Sequence, residues 1–186
     1  MNDIHVKGTG VISTKNYVEK KQHIEYKKWL RSLPSKSSEL YSNTINATDW
    51  YGIEDAYLAP MAHIAKLFFN NDEKAAGLEV GKFAADYGLK GVYKVFLMIA
   101  TPQALMRASK RIIAVYFDKV EVKLDDVQKK SLVLSCSKIS KSNELFNYRT
   151  IGWCVRALEL ANCKNVEYKN VEAKSKSMFA FKLSWD

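Results

Sequence analysis

Histidine and cysteine are scarce in this 186-residue chain, three of each, and their placement excludes most metal chemistry. His5, His23 and His63 show no HExxH or His-x-His spacing, and Cys136, Cys154 and Cys163 form no CxxC. No zinc or other metal site is expected. So few cysteines make no disulfide framework and suit a reducing compartment. No GxxxxGK loop is present to cradle a phosphate, and Gly8-Thr9-Gly10 lacks the third glycine of a dinucleotide fingerprint. Long apolar runs are missing too. Val95 to Ala100 is far short of the roughly 20 residues that span a bilayer, and the opening MNDIHVKG has no charged-then-apolar secretion signal. Like charges never gather into a block, so a basic tail for specific nucleic-acid binding is absent. The expectation is a cytoplasmic protein that spans no membrane and is not an enzyme.

What is present is globular. Hydrophobic residues make up 47% and aromatics 12%, well outside the disordered class. A net charge of +9 arises from 29 Lys and Arg against 20 Asp and Glu, dispersed as a solvated basic surface. Asp125–Asp126 and Asp72–Glu73 suit a turn and a helix start better than acid–base machinery.

The chain reads as a single domain over 1–186, with a leading strand, helix and loop in 1–48 and the main body in 49–186. HVKGTGVI starts as a strand broken by glycine, and Ser13 or Thr14 offers an N-cap for a helix toward Leu33. Ser32 to Thr48 reads as a loop. Ile53, Tyr57, Met61, Ile64 and Phe68 recur at helical spacing, with Pro60 as a candidate kink. His63 falls off that stripe. Asn71 or Asp72 caps a further helix with Ala76, Val80, Phe83, Ala84 and Tyr87 inward. Gly88 ends it, and Leu89, Val92, Phe96 and Ile99 line a second helix. Thr101–Pro102 starts a third, burying Leu105, Ile112 and Tyr116 with Met106 and Ile113 alongside. Arg107, Lys110 and Arg111 take its other face.

After Phe117 the apolar period changes from 3.6 to 2. Val120, Val122 and Leu124 form one strand and Leu132, Leu134 and Cys136 another. A helix opened by Asn143 carries Ile151, Cys154, Val155, Leu158 and Ala161 inward. Val166 and Tyr168 mark a third strand, and Phe179, Phe181, Leu183 and Trp185 a fourth. Cys163, at the exit of the helix, is the cysteine expected to be exposed. Helices followed by strand–strand–helix–strand–strand imply an α+β fold, with helices packed on an antiparallel sheet of about four strands.

Two functional expectations follow from this pattern. Phe83, Phe96, Met98, Leu105, Met106 and Ile112 line a pocket between helices for an apolar small molecule or lipid, methionine suiting an adaptable cavity. Alternatively Gly77, Gly81 and Ala85 form a small-residue stripe on which a second copy packs, making a homodimeric interaction module.

GKFAADYGLKGVYKVFLMIATPQALMRASKRIIAVYFDKVEV, GWCVRALELANCKNVEYKNV and SMFAFKLSW resemble an uncharacterised bacterial family expanded in myxobacteria. That family resembles haem-NO-binding domains, 4-vinyl reductase domains and TRAPP vesicle-tethering subunits in fold. The resemblance implies a haem-NO-binding/TRAPP-like architecture and a sensor or adaptor role in signalling. Haem-NO-binding domains ligate iron through a histidine in mid-domain and clamp the propionates with Tyr-x-Ser-x-Arg. No histidine follows His63 here, and that motif is missing. The zinc cysteines of vinyl-reductase sensors are missing as well, Ala173 and Met178 standing near their places. The resemblance therefore implies the fold without cofactor, haem included.

Overall fold

The structure is a computed structural model and describes residues 4–89, 101–139, 143–173 and 175–186, without the side chains of Ile24, Gln103, Ser109, Lys110 and Ile112. The chain opens with β1 (His5–Lys7) and passes at once into α1 (Gly8–Lys21). A 3₁₀ turn, α2 (Tyr26–Ser32) and α3 (Ser35–Ser42) follow. Next come β2 (Trp50–Gly52), a π-helical turn (Glu54–Leu58), α4 (Ala59–Phe68) and α5 (Glu73–Leu89). Then come α6 (Pro102–Tyr116), β3 (Glu121–Asp125), β4 (Ser131–Ser137), α7 (Glu144–Leu160), β5 (Glu167–Val171) and β6 (Phe179–Ser184).

The α+β reading of the second half holds. β3 to β6 form one antiparallel sheet in the order β3-β4-β6-β5, so α7 carries the chain from the second strand to the far edge. In register, Leu132 faces Leu183, Leu134 faces Phe181 and Cys136 faces Phe179. All six are buried, which fixes the inward face of the sheet, since a one-residue slip would turn them to solvent. The helix starts are also as expected. The Thr101 hydroxyl accepts from Ala104 N–H at 3.2 Å and the Asn143 amide oxygen from Phe146 N–H at 3.1 Å. Asp72 caps α5 through Ala75 N–H at 2.8 Å.

The first half needs correction in four places. Ser13 and Thr14 do not cap a helix. Helix α1 begins earlier, at Gly8, and both side chains are buried in its interior. The segment taken as a loop contains α3, which starts just after Pro34 and buries Ser37 and Tyr41. Pro60 stands not midway along one regular α-helix but at the start of α4, directly after the π turn Glu54–Leu58. On α5 the buried set is Ala76, Gly77, Val80, Gly81, Ala85 and Leu89. Phe83 and Ala84 are half-buried and Tyr87 is exposed. The helix expected over Leu89 to Ile99 lies outside the described residues beyond its first position.

Helix α5 runs closely along α7. A Cβ on Gly77 would stand 2.7 Å from Tyr148 Cβ. On Gly81 it would collide with the Arg149 carbonyl, and on Gly152 with that of Leu78. The two backbones touch reciprocally, which residues lacking a Cβ permit. The stripe Gly77–Gly81–Ala85, expected to face a second copy, is thus covered by the chain's own α7. Between these helices and the sheet lies an aromatic cluster. Phe146 has Phe117 at 5.1 Å, Phe179 at 5.9 Å and Tyr57 at 6.0 Å between ring centroids. Edge-to-face geometry dominates, as aromatic quadrupoles favour.

Candidate functional site

Where β1, α1, the π turn, α5, α6 and α7 converge, the structure holds a cavity of about 60 Å³. Val6, Ile113 and Phe117 give it apolar walls, and Ser13, Tyr57 and Arg149 give it polar ones. At roughly 10–15 Å³ per water position, it has room for a ligand of about four or five heavy atoms.

Arg149 is the distinctive member. It is 4% exposed, and its charge persists in any protein environment. Nη1 donates to Thr14 Oγ1 at 2.8 Å, and Nη2 to Ser13 Oγ at 3.0 Å and the Gly10 carbonyl at 3.3 Å. The guanidinium lies over the Tyr57 ring at 4.3 Å. Every one of these partners is neutral. Among the described residues no carboxylate pairs with it. The contrast with Arg156, two turns along α7, is direct: it bonds Asp86 at 3.1 Å and Glu159 at 3.0 Å. Leaving an interior charge without its counter-ion typically costs about 3–5 kcal/mol. Three neutral oxygens and one ring offset only part of that.

The local fold explains how this cation is held. Gly10 in α1 has no side chain to block Tyr116, whose ring would lie 3.3 Å from a Cβ there. Its carbonyl accepts from Ser13 Oγ at 2.9 Å and from Thr14 Oγ1 at 3.2 Å. That cluster of oxygens draws the guanidinium toward α1. The wide π turn carries Tyr57 under it. Such turns commonly occur at functional sites. Burial raises the Tyr57 phenol above its usual range while the Arg149 charge pulls it back.

Of the residues expected to line an apolar pocket, Phe83, Leu105 and Met106 are not part of this cavity's lining. Leu105 and Met106 are wholly buried and lie outside the cavity wall. Phe83 is half-buried, edge-to-face with Tyr17 at 5.4 Å. Phe96 and Met98 fall outside the described residues, as does the side chain of Ile112. Sequence reasoning passed over Arg149. Its neighbours at three and four residues' distance are Leu145, Phe146, Gly152 and Trp153. A lone cation on an apolar helical stripe, with no acid within one turn, was the available signal.

Thiol and metal chemistry find no support at this site. Cys154 is fully buried and its thiol is pushed up to about 12 by burial; Cys136 is driven up for the same reason. Cys163, expected to be exposed, is buried at the end of α7, with its N–H on the Leu158 carbonyl at 3.1 Å. A thiolate-selective disulfide reagent is therefore expected to label all three cysteines only after unfolding in urea. Rapid labelling of the native protein that disappears in Cys163→Ser would place Cys163 at the surface instead. Among the described residues no group of three or more His, Cys, Asp or Glu is arranged to hold a metal. His5 is bound to Asp118 at 2.9 Å beside β1, and His63 to Ser32 at 3.0 Å. His23 is exposed.

No family model matches the chain, and no curated protein matches it in sequence. Solved structures do match. An unliganded Fe(II) H-NOX protein from K. algicida is 14% identical, with a TM-score of 0.72, covering 97% of this chain and 96% of that one. An H-NOX protein from S. oneidensis in the Fe(II)NO state is 10% identical, with a TM-score of 0.73, over 97% and 99%. A variant of Tt H-NOX is 12% identical, with a TM-score of 0.72, over 97% and 95%. The chain has the haem-NO-binding fold along nearly its whole length. Among the described residues no helix is long and apolar enough to cross a membrane.

Haem, implied by that fold, does not fit the residues described. The cavity beside Arg149 is about 60 Å³, against roughly 300–1,000 Å³ for small-molecule and cofactor sites. Tyr57, Phe117, Phe146 and Phe179 occupy the surrounding space. No histidine lines the cavity.

Proposed function

We propose that this protein is a non-enzymatic sensor or adaptor domain that uses the haem-NO-binding fold without haem and takes a small ligand beside Arg149. The observation that carries this reading is a cavity walled by six elements, with one buried cation in its lining that no described carboxylate pairs. A ligand there would touch α1, α6 and α7 together, and so could bias the packing between the N-terminal helices and the rest of the fold. The reading keeps the signalling role and the cytoplasmic setting that the sequence suggests. It moves the pocket from the apolar helical face to the α1–α7 seam. The dimer reading relied on a stripe whose Gly77 and Gly81 pack against α7 within the chain.

Haem titration tests the cofactor half of the proposal. The purified protein is expected to be colourless and to take up no stoichiometric haem. A Soret band that saturates at one haem per chain and vanishes in His63→Ala would overturn it. Native mass spectrometry after gentle purification tests the other half. A bound small molecule is expected, and repeated recovery of the empty chain, with no thermal shift from any small compound, would count against the pocket.

A further inference from the structure

The proposed pocket carries a charge, and that charge specifies a ligand class. We infer that the cavity beside Arg149 binds a small monoanionic oxyanion, a short-chain monocarboxylate, whose carboxylate supplies the counter-ion that no described residue supplies. This inference rests on the ligand-binding reading above and deepens it.

Three observations converge. Arg149 is buried, lines the cavity and has only neutral oxygens and a ring as partners. The bonds printed for its guanidinium, from Nη1 and Nη2, run only to uncharged oxygens of α1. A carboxylate accepts from guanidinium N–H groups, and charge-assisted bonds of this type are about twice as strong as neutral ones. The remaining wall is apolar, through Val6, Ile113 and Phe117. An oxyanion with a short hydrocarbon tail satisfies both halves of the lining, whereas an inorganic oxyanion satisfies only one. The volume limits the ligand to about four or five heavy atoms, the size of acetate or propionate.

The test compares acetate, propionate and nitrate with acetamide and 1-propanol, at constant ionic strength in chloride. For the wild-type protein, propionate at a hundredfold excess over its Kd should raise Tm by about 5–10 °C. Nitrate should act more weakly and the neutral compounds not at all. Arg149→Met preserves length without charge and should abolish the carboxylate shift. It should fold, because Ser13 and Thr14 still bond the Gly10 carbonyl. Should that variant fail to fold, the Nε–H resonance of Arg149 in wild-type protein decides the matter, and propionate should move it. A nitrate effect equal to that of propionate would overturn the carboxylate assignment. Equal shifts from acetamide or propanol, retained in Arg149→Met, would overturn the anion and leave the pocket standing. No shift from any compound, with the Nε–H resonance unmoved, would remove both.

Discussion

Gly81→Leu is expected to leave no cooperatively folded protein at 25 °C. The residue packs against the backbone of α7 around Arg149 and Trp153, and even a single Cβ meets the Arg149 carbonyl. A backbone cannot step aside as a side chain can, so the helices would have to separate along the most extensive contact in the fold. Overpacking a core costs about 1–3 kcal/mol for modest insertions and more for severe ones. Against a total of about 5–15 kcal/mol, the leucine should remove stability altogether. Gly81→Ala should lose roughly 3 kcal/mol and remain measurable by urea unfolding. Circular dichroism with light scattering gives the readout. A Gly81→Leu protein with wild-type ellipticity would mean that α5 and α7 do not pack as described, and a folded monomer replacing a dimer would revive the intermolecular stripe.

Phe146→Ala is the second large effect. This ring, 3% exposed, contacts Tyr57, Phe117 and Phe179. Truncating a buried phenylalanine costs about 3–5 kcal/mol, or roughly 6–20 °C in Tm for a chain of this size. Engineered apolar cavities stay dry and admit benzene. Added benzene or indole should therefore restore part of the loss in Phe146→Ala and nothing in wild type. A drop under about 1 kcal/mol, below the range for such truncations, would show that the four rings do not share one packed centre.

The second half of the fold was legible because its signals are local. A change of period after Phe117, a Thr–Pro pair and Asn143 each act within a few residues, and each appears where expected. Sheet order was not legible, since nothing in β5 or β6 states that β6 pairs with β4. The first half misled for a related reason. Ser13 and Thr14 have cap chemistry but face a buried guanidinium 135 and 136 residues away, and tertiary context outweighed propensity. The stripe of small residues was visible, but its partner helix was not. The cavity was the least legible feature, because six separate segments build its wall.

That wall also has a consequence in time. The bonds from Arg149 to Gly10, Ser13 and Thr14 close loops of 135 to 139 residues, and contacts so distant in sequence form late, after the entropy of closing the loop has been met. A partly folded chain has no such seam, whatever helices it has already made. Any molecule that seats there recognises only chains in which α1 and α7 have met, and it acts as a latch on the finished protein: unfolding slows with its concentration, while the rate of folding stays as it was.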